Sequence, residues 1–178
     1  MASTSIYIRG FLAILGASLM GLMPVTVADA ANPEPVTVGM SFLDPITVTE
    51  DSALQYGLLD VNLANTETII IAPDDTVTGT GTGRILGGAR AAADLTIGAT
   101  SGVTINILID NVTTGTGYGL GTWLCDYEAG SDVACDGAGM NVTSVASGAL
   151  RVGVTLTGDG TAVAGNQDGS FDVTVAYQ

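Results

Sequence analysis

The chain has no histidine and no lysine, and four arginines face 18 acidic residues, for a formal charge of −14. Without imidazole there is no histidine-based triad, no histidine metal site and no ordinary acid–base shuttle at neutral pH. Without lysine there is no Walker phosphate loop, and no common nucleophile–base pair can be assembled. The acidic balance repels phosphate and speaks against nucleic acid as a partner. Only 12% of the residues are charged, and 25 are glycine, a poor composition for a helical bundle. An apolar share of 47% equally excludes an acidic disordered tail, which lacks the surface to offset chain entropy. These absences leave a non-enzymatic β domain as the expectation, with no cofactor.

What is present begins with an address. Arg9 is the only charge before Asp29, and it precedes the apolar run Phe11–Met23, 13 residues long. A spanning helix needs about 20 apolar residues, so an N-terminal membrane anchor is the weaker reading. Ala28-Asp29-Ala30 has the small-residue pattern of a signal-peptidase site, which predicts cleavage after Ala30, with Ala31 as a near alternative. Residues 1–30 are therefore expected to be a signal peptide, with no membrane span following it. Export to the periplasm, cell surface or extracellular space follows. Cys125 and Cys135 are the only cysteines, and in an exported chain such a local pair predicts a disulfide. Two cysteines without histidine fall short of a zinc site, and their spacing is not that of a Cys-x-x-Cys redox pair.

Beyond Ala30 apolar residues recur with period two rather than at helical spacing. The clearest runs are Val36–Phe42, Val103–Ile109, Leu150–Leu156 and Phe171–Tyr177. Weaker strands are expected at 45–49, 54–61, 67–72, 95–98, 121–125 and 140–145. Pro73-Asp-Asp75, Gly158-Asp-Gly160 and the run 166–169 supply turns between them. Short strands without crossover helices predict an all-β, antiparallel two-sheet β-sandwich of the immunoglobulin or pilin kind over residues 44–178. The run Gly87–Ala93 suits at most one helical turn.

Two glycine-rich segments, 79–83 and 115–121, superficially suggest nucleotide loops. Leu86 and Leu120 stand where a dinucleotide fingerprint needs its third glycine, so turns or strand kinks are expected. Asp126, Glu128, Asp132 and Asp136 surround the cysteines and form a weak candidate set for Ca²⁺, which takes 6–8 oxygens in flexible geometry. Their spacing is not that of an EF-hand, and a solvated acidic hairpin is the plainer reading. Trp123 is expected as a core ring near the disulfide, and Tyr118 as a half-buried turn residue.

The last residues carry the sharpest signal. Gly165 is fourteenth from the end and Tyr177 is penultimate, with Phe171, Val173 and Val175 alternating between them. This C-terminus resembles that of chaperone–usher pilin subunits, which implies an assembly strand along which a periplasmic chaperone or a neighbouring subunit pairs. Pilins often carry their disulfide near the first strand, whereas these cysteines stand late. The chain also resembles family 4402 of the bacterial domains of unknown function. That resemblance rests on Pro45-Ile-Thr-Val48, Leu54-Gln-Tyr-Gly57, Leu150-Arg-Val-Gly-Val-Thr-Leu156 and Val173-Thr-Val-Ala-Tyr177. The family usually has Phe-Gly where this chain has Tyr56-Gly57.

Residues 31–43 read as an extension. Ala31-Asn-Pro-Glu-Pro35 is expected to be extended, and Val36, Val38, Met40 and Phe42 alternate in the strand after it. The pilin resemblance implies that such an extension is a donor strand filling a neighbour's groove. Pairing within its own domain uses the same contacts. The leading expectation is an exported structural protein, a subunit of a surface filament or pilus-like assembly that self-associates by β-strand addition. The alternative is a monomeric secreted module binding calcium or glycan through the acidic loop 126–136.

Overall fold

Period-two alternation is converted into twelve strands in the computed structural model, which describes residue 37 and residues 39–178. The expected signal peptide lies outside the described residues, as do Val36 and Val38. The strands are β1 (Thr47–Ser52), β2 (Leu58–Leu59), β3 (Thr68–Ile71), β4 (Val77–Thr78), β5 (Ile85–Gly87) and β6 (Ala93–Gly98). They continue with β7 (Thr104–Thr113), β8 (Tyr118–Tyr127), β9 (Val133–Ala134), β10 (Met140–Thr143), β11 (Gly148–Gly158) and β12 (Ser170–Tyr177). No α-helix occurs among the described residues, and none of their segments is a helix long and apolar enough to cross a membrane. The chain is all-β and its paired strands are antiparallel.

Strand β11 is the axis of the larger sheet. One edge of β11 pairs with β6 through residues 148–152 and with β3 through residues 154–157. The other edge pairs with β8 through residues 150–158, and β9 lies beyond β8. Strand β1 pairs with β6 and is the outermost strand on that side. The second sheet has the order β10–β7–β12, and β2 with β5 forms a small separate ribbon.

The alternation decides which sheet face is buried. In β7, Ile105, Ile107 and Ile109 are buried while Asn106, Leu108 and Asp110 are partly exposed. In β11, Leu150, Val152 and Val154 are buried. These residues meet Ile97, Trp123 and Tyr127 in one hydrophobic cluster. Each fully buried side chain of this size stabilises by roughly 1.5–3 kcal/mol. Between the sheets, the Trp123 and Phe171 rings meet with centroids 4.7 Å apart and planes tilted by 52°, an arrangement favoured for aromatic pairs. Trp123 is thus the core ring that the sequence suggested.

A bulge in β8 lets one strand serve two clusters. Val154 opposes Trp123 but Thr155 opposes Gly121, so Thr122 is the extra residue, with φ 54°. The inward parity switches there. Trp123, Cys125 and Tyr127 face the main core, while Tyr118 and Leu120 pack on a second cluster of Leu63, Ile69 and Leu156. The Tyr56 hydroxyl donates to Val154 O at 2.7 Å. Burial pushes this phenol well above its ordinary value, so it stays a neutral donor.

Two local expectations need correction. Residues 39–42, expected to end a first strand, are not in a strand, and Phe42 is 87% exposed. Alternation alone does not make a strand without an edge to pair with. Within 54–61 only Leu58–Leu59 is strand, because Gly57 turns the chain with φ +77° against Gly87 O. Residues 87–93, which suit at most one helical turn, form none. Those residues end β5 and form the bridge Ala91–Gln55, and the 3-10 turn lies earlier, at Thr82–Arg84.

Candidate functional site

The two flanks of the sandwich are built differently. On one flank, β9 pairs with β8, and Cys135 then reaches both sheets. Its N–H donates to Trp123 O in the larger sheet at 3.3 Å, and its carbonyl accepts from Ile109 N–H of β7 at 2.9 Å. The expected disulfide Cys125–Cys135 is formed, and both cysteines are fully buried. Backbone bonds and a covalent bridge therefore close this side.

The opposite flank lies between β1 and β12, the outer strands of the two sheets, and is open. Among the described residues, β12 pairs only with β7 and β1 only with β6. The ladder geometry fixes which groups β12 leaves free. Gln178 N–H donates to Thr104 O at 3.0 Å, and Tyr177 opposes Ile105. In an antiparallel ladder hydrogen-bonded and non-bonded pairs alternate, so Asp172, Thr174 and Ala176 bond to β7. Phe171, Val173, Val175 and Tyr177 turn their backbone N–H and C=O groups to the free edge. The same four side chains are half-buried and pack on the core. Four of the five C-terminal candidates thus share one face and one free edge. The fifth, Gly165, lies in the loop before β12 with φ +129°.

A groove of about 1350 Å³ runs along this flank. Val48 of β1, Leu95 of β6, and Phe171 and Val173 of β12 line its upper part. Below Ser170 it continues between residues 53–61 with 86–89 on one side and residues 116–120 with 162–169 on the other. Gly117 shapes this lower end. Its φ is +100°, and any Cβ there would collide with Ala162, so a side chain would push the two loops apart. The Tyr118 hydroxyl donates to Gln167 O at 2.8 Å and holds the loop before β12 in place.

Beyond the groove, the end of β12 is fastened by Tyr177. Thr100 N–H donates to its hydroxyl at 2.7 Å, and the hydroxyl donates to Asp44 O at 2.8 Å. Asp44 N–H in turn donates to Thr100 Oγ1 at 2.6 Å. The point where residue 43 joins the sandwich is thereby fixed beside the end of β12. Of the expected donor-strand residues, Phe42 and Met40 are exposed, at 87% and 73%.

The acidic set around the disulfide does not converge. Among the described residues, no group of three or more carboxylates or cysteines is placed to hold a metal ion. Glu128 sits at a positive-φ turn and its Oε1 accepts from Ala149 N–H at 2.6 Å. Asp132 and Asp136 are exposed, while one oxygen of Asp126 is buried without a partner.

Sequence reasoning did not find the lower groove, nor the link from Tyr177 through Asp44 and Thr100. Leu58, Val61, Leu86 and Val163, which line the groove, are exposed and stand in turn-rich sequence without alternation. Leu58 follows Gly57, Val61 follows Asp60, Leu86 precedes Gly87 and Val163 stands between two alanines, settings that composition does not distinguish from ordinary loops.

No curated protein and no solved structure matches the chain. The family model described as "Domain of unknown function (DUF4402)" matches residues 46–177. That span runs from the residue before β1 to the last residue of β12, so it takes in both sheets and the open flank between them. The chain belongs to the DUF4402 family.

Proposed function

We propose that this protein is a non-enzymatic exported structural protein, a subunit of a surface filament or pilus-like assembly whose copies join by β-strand addition. The observation that carries the reading is the free edge of β12. Four residues there combine apolar side chains packed on the core with backbone groups that have no partner among the described residues, and two of them, Phe171 and Val173, line the groove. A strand laid along that edge satisfies the backbone groups and covers Phe171 and Val173 in one step.

The segment Val36–Phe42 has the complementary pattern in Val36, Val38, Met40 and Phe42. It carries no charge, which avoids like-charge repulsion on a chain of −14. Burying its four apolar side chains supplies roughly 6–12 kcal/mol gross, much of which offsets ordering and association. Donation from each copy to the next is a head-to-tail contact that does not close on itself, so it generates fibres. Residues 1–30 act as the export signal, and the disulfide suits an oxidising compartment.

The test is to express the full chain, collect the exported protein, and apply size-exclusion chromatography and negative-stain microscopy. Linear fibres are expected, and removal of residues 31–43 should leave monomers. A strict monomer, unchanged by that deletion, overturns the reading. Amide exchange adds a residue-level check. Val173 and Val175 should exchange fast in the monomer and become protected in fibres, whereas Thr174 should be protected in both. Fibres in which Val173 and Val175 stay unprotected would mean that assembly uses another surface.

A further inference from the structure

The groove continues past the first residue of β12, and four apolar side chains there stand in solvent: Leu86 69%, Leu58 66%, Val163 54% and Val61 46% exposed. Pairing along β12 does not account for them. They belong to the β2–β5 ribbon, its connection and the loop before β12. A shared exposed apolar patch of this kind marks an interaction surface.

The fastening at Tyr177 decides what can lie against it. Strand β1 runs from the Tyr177 end of the open flank toward Ser52, and β12 runs the other way, from Ser170 to Tyr177. Asp44 is held at the Tyr177 end. A chain's own extension folded back on its own β12 must therefore run parallel to that strand, with Phe42 beside Tyr177. Such an arrangement brings only residues 31–35, Ala-Asn-Pro-Glu-Pro, toward the four exposed side chains, a polar segment with one charge that does not cover an apolar patch. An extension from a second copy is free of this tether and lies in either direction. Only the antiparallel direction places Phe42 beside Phe171 and Leu43 at the lower end, where the second copy's sandwich, resuming at Asp44, covers the patch.

We infer that the occupant of the groove is residues 36–42 of a second copy running antiparallel to β12, and that this copy's sandwich seats on Leu58, Val61, Leu86 and Val163. The inference rests on the strand-addition reading and assigns it a direction and a second contact surface. Leu43, itself 45% exposed, belongs to that contact. The uncharged, alternating segment 36–42 suits the groove, and the patch sets the direction.

Two experiments on exported full-length protein test it. In the first, Leu58→Asp with Leu86→Asp is compared with Val38→Asp with Met40→Asp. Both double variants should retain the monomer's circular dichroism, and each should lower the assembled fraction at least tenfold. Normal assembly of the Leu58/Leu86 variant overturns the patch while leaving strand addition intact. Normal assembly of the Val38/Met40 variant overturns strand addition itself. In the second, a mass-tagged chain carrying Leu43→Cys is co-assembled with a chain carrying either Val163→Cys or Gln178→Cys, then oxidised. Cross-linking to position 163 is expected. Cross-linking to position 178 instead means a parallel strand and overturns the direction. This second test holds even if the aspartate variants fail to fold.

Discussion

The closed and open flanks use the same sandwich in opposite ways. On the closed flank, Cys135 bonds to both sheets and the disulfide fixes β8 to the loop that leads into β10. On the open flank, β12 and β1 end their sheets with no further strand among the described residues. Both flanks border the same core, and Trp123 on one side touches Phe171 on the other. The lesson is that burial does not explain the difference. Cross-linking does: on one flank Cys135 bonds to both sheets and is held by the disulfide, whereas on the other, among the described residues, nothing joins the two outer strands along β12 and every second residue of β12 is available.

That contrast is sharpened by a graded series of substitutions. Trp123→Ala, at a fully buried position, should destabilise by about 3–5 kcal/mol, measured by urea denaturation of the monomer. Replacing both cysteines by alanine should cost roughly 2–3 kcal/mol, the value for closing so short a loop. Phe171→Ala, on the half-buried open side, should cost about 2 kcal/mol, near half that of a fully buried ring. If Phe171→Ala costs as much as Trp123→Ala, the open flank is as tightly packed as the closed one, and the comparison fails.

The smallest effect concerns an ionic link between sheet strands. Arg151 of β11 bonds Asp94 of β6 at 2.8 Å and also Asp75. Asp75 is held below the usual carboxylate range, first by the N–H of Ala92 and then by Arg151. A depressed folded value means the stabilisation is full above the unfolded value and is lost as pH falls through the folded one. Thermal unfolding should therefore move down as pH falls below about 4, the ordinary aspartate value, and Asp75→Asn should flatten part of that slope. Because the partners are more than one-third exposed, Arg151→Ala should cost no more than about 1 kcal/mol.

Much of the sandwich was legible because its main strands bury one face and wet the other. Val103–Ile109, Leu150–Leu156 and Phe171–Tyr177 all alternate, and apart from Val103, which precedes β7, all fall within long strands. The short strands were harder. β9 has only Val133–Ala134, and it exists because the disulfide and the neighbouring β8 hold it there. The bulge at Thr122 hid the start of β8, since alternation breaks where the inward parity switches. At 39–42 the opposite error occurred: the pattern of a strand is present without a partner in its own sheet. Of the site, the C-terminal face was readable from Phe171 to Tyr177. The free edge was not, because it depends on which neighbour β12 lacks, and that is a property of topology rather than of local sequence.

The phenol of Tyr177 has a mechanical consequence. It joins the carbonyl of Asp44, where the extension enters the body, to the end of β12, which carries the free edge. Asp44 also continues covalently through Pro45 and Ile46 into β1, so the entry point of the chain is pinned to the outer strand of each sheet, by the backbone on one side and by one phenol on the other. A pull on the residues ahead of Asp44 therefore reaches both sheets at once rather than β1 alone.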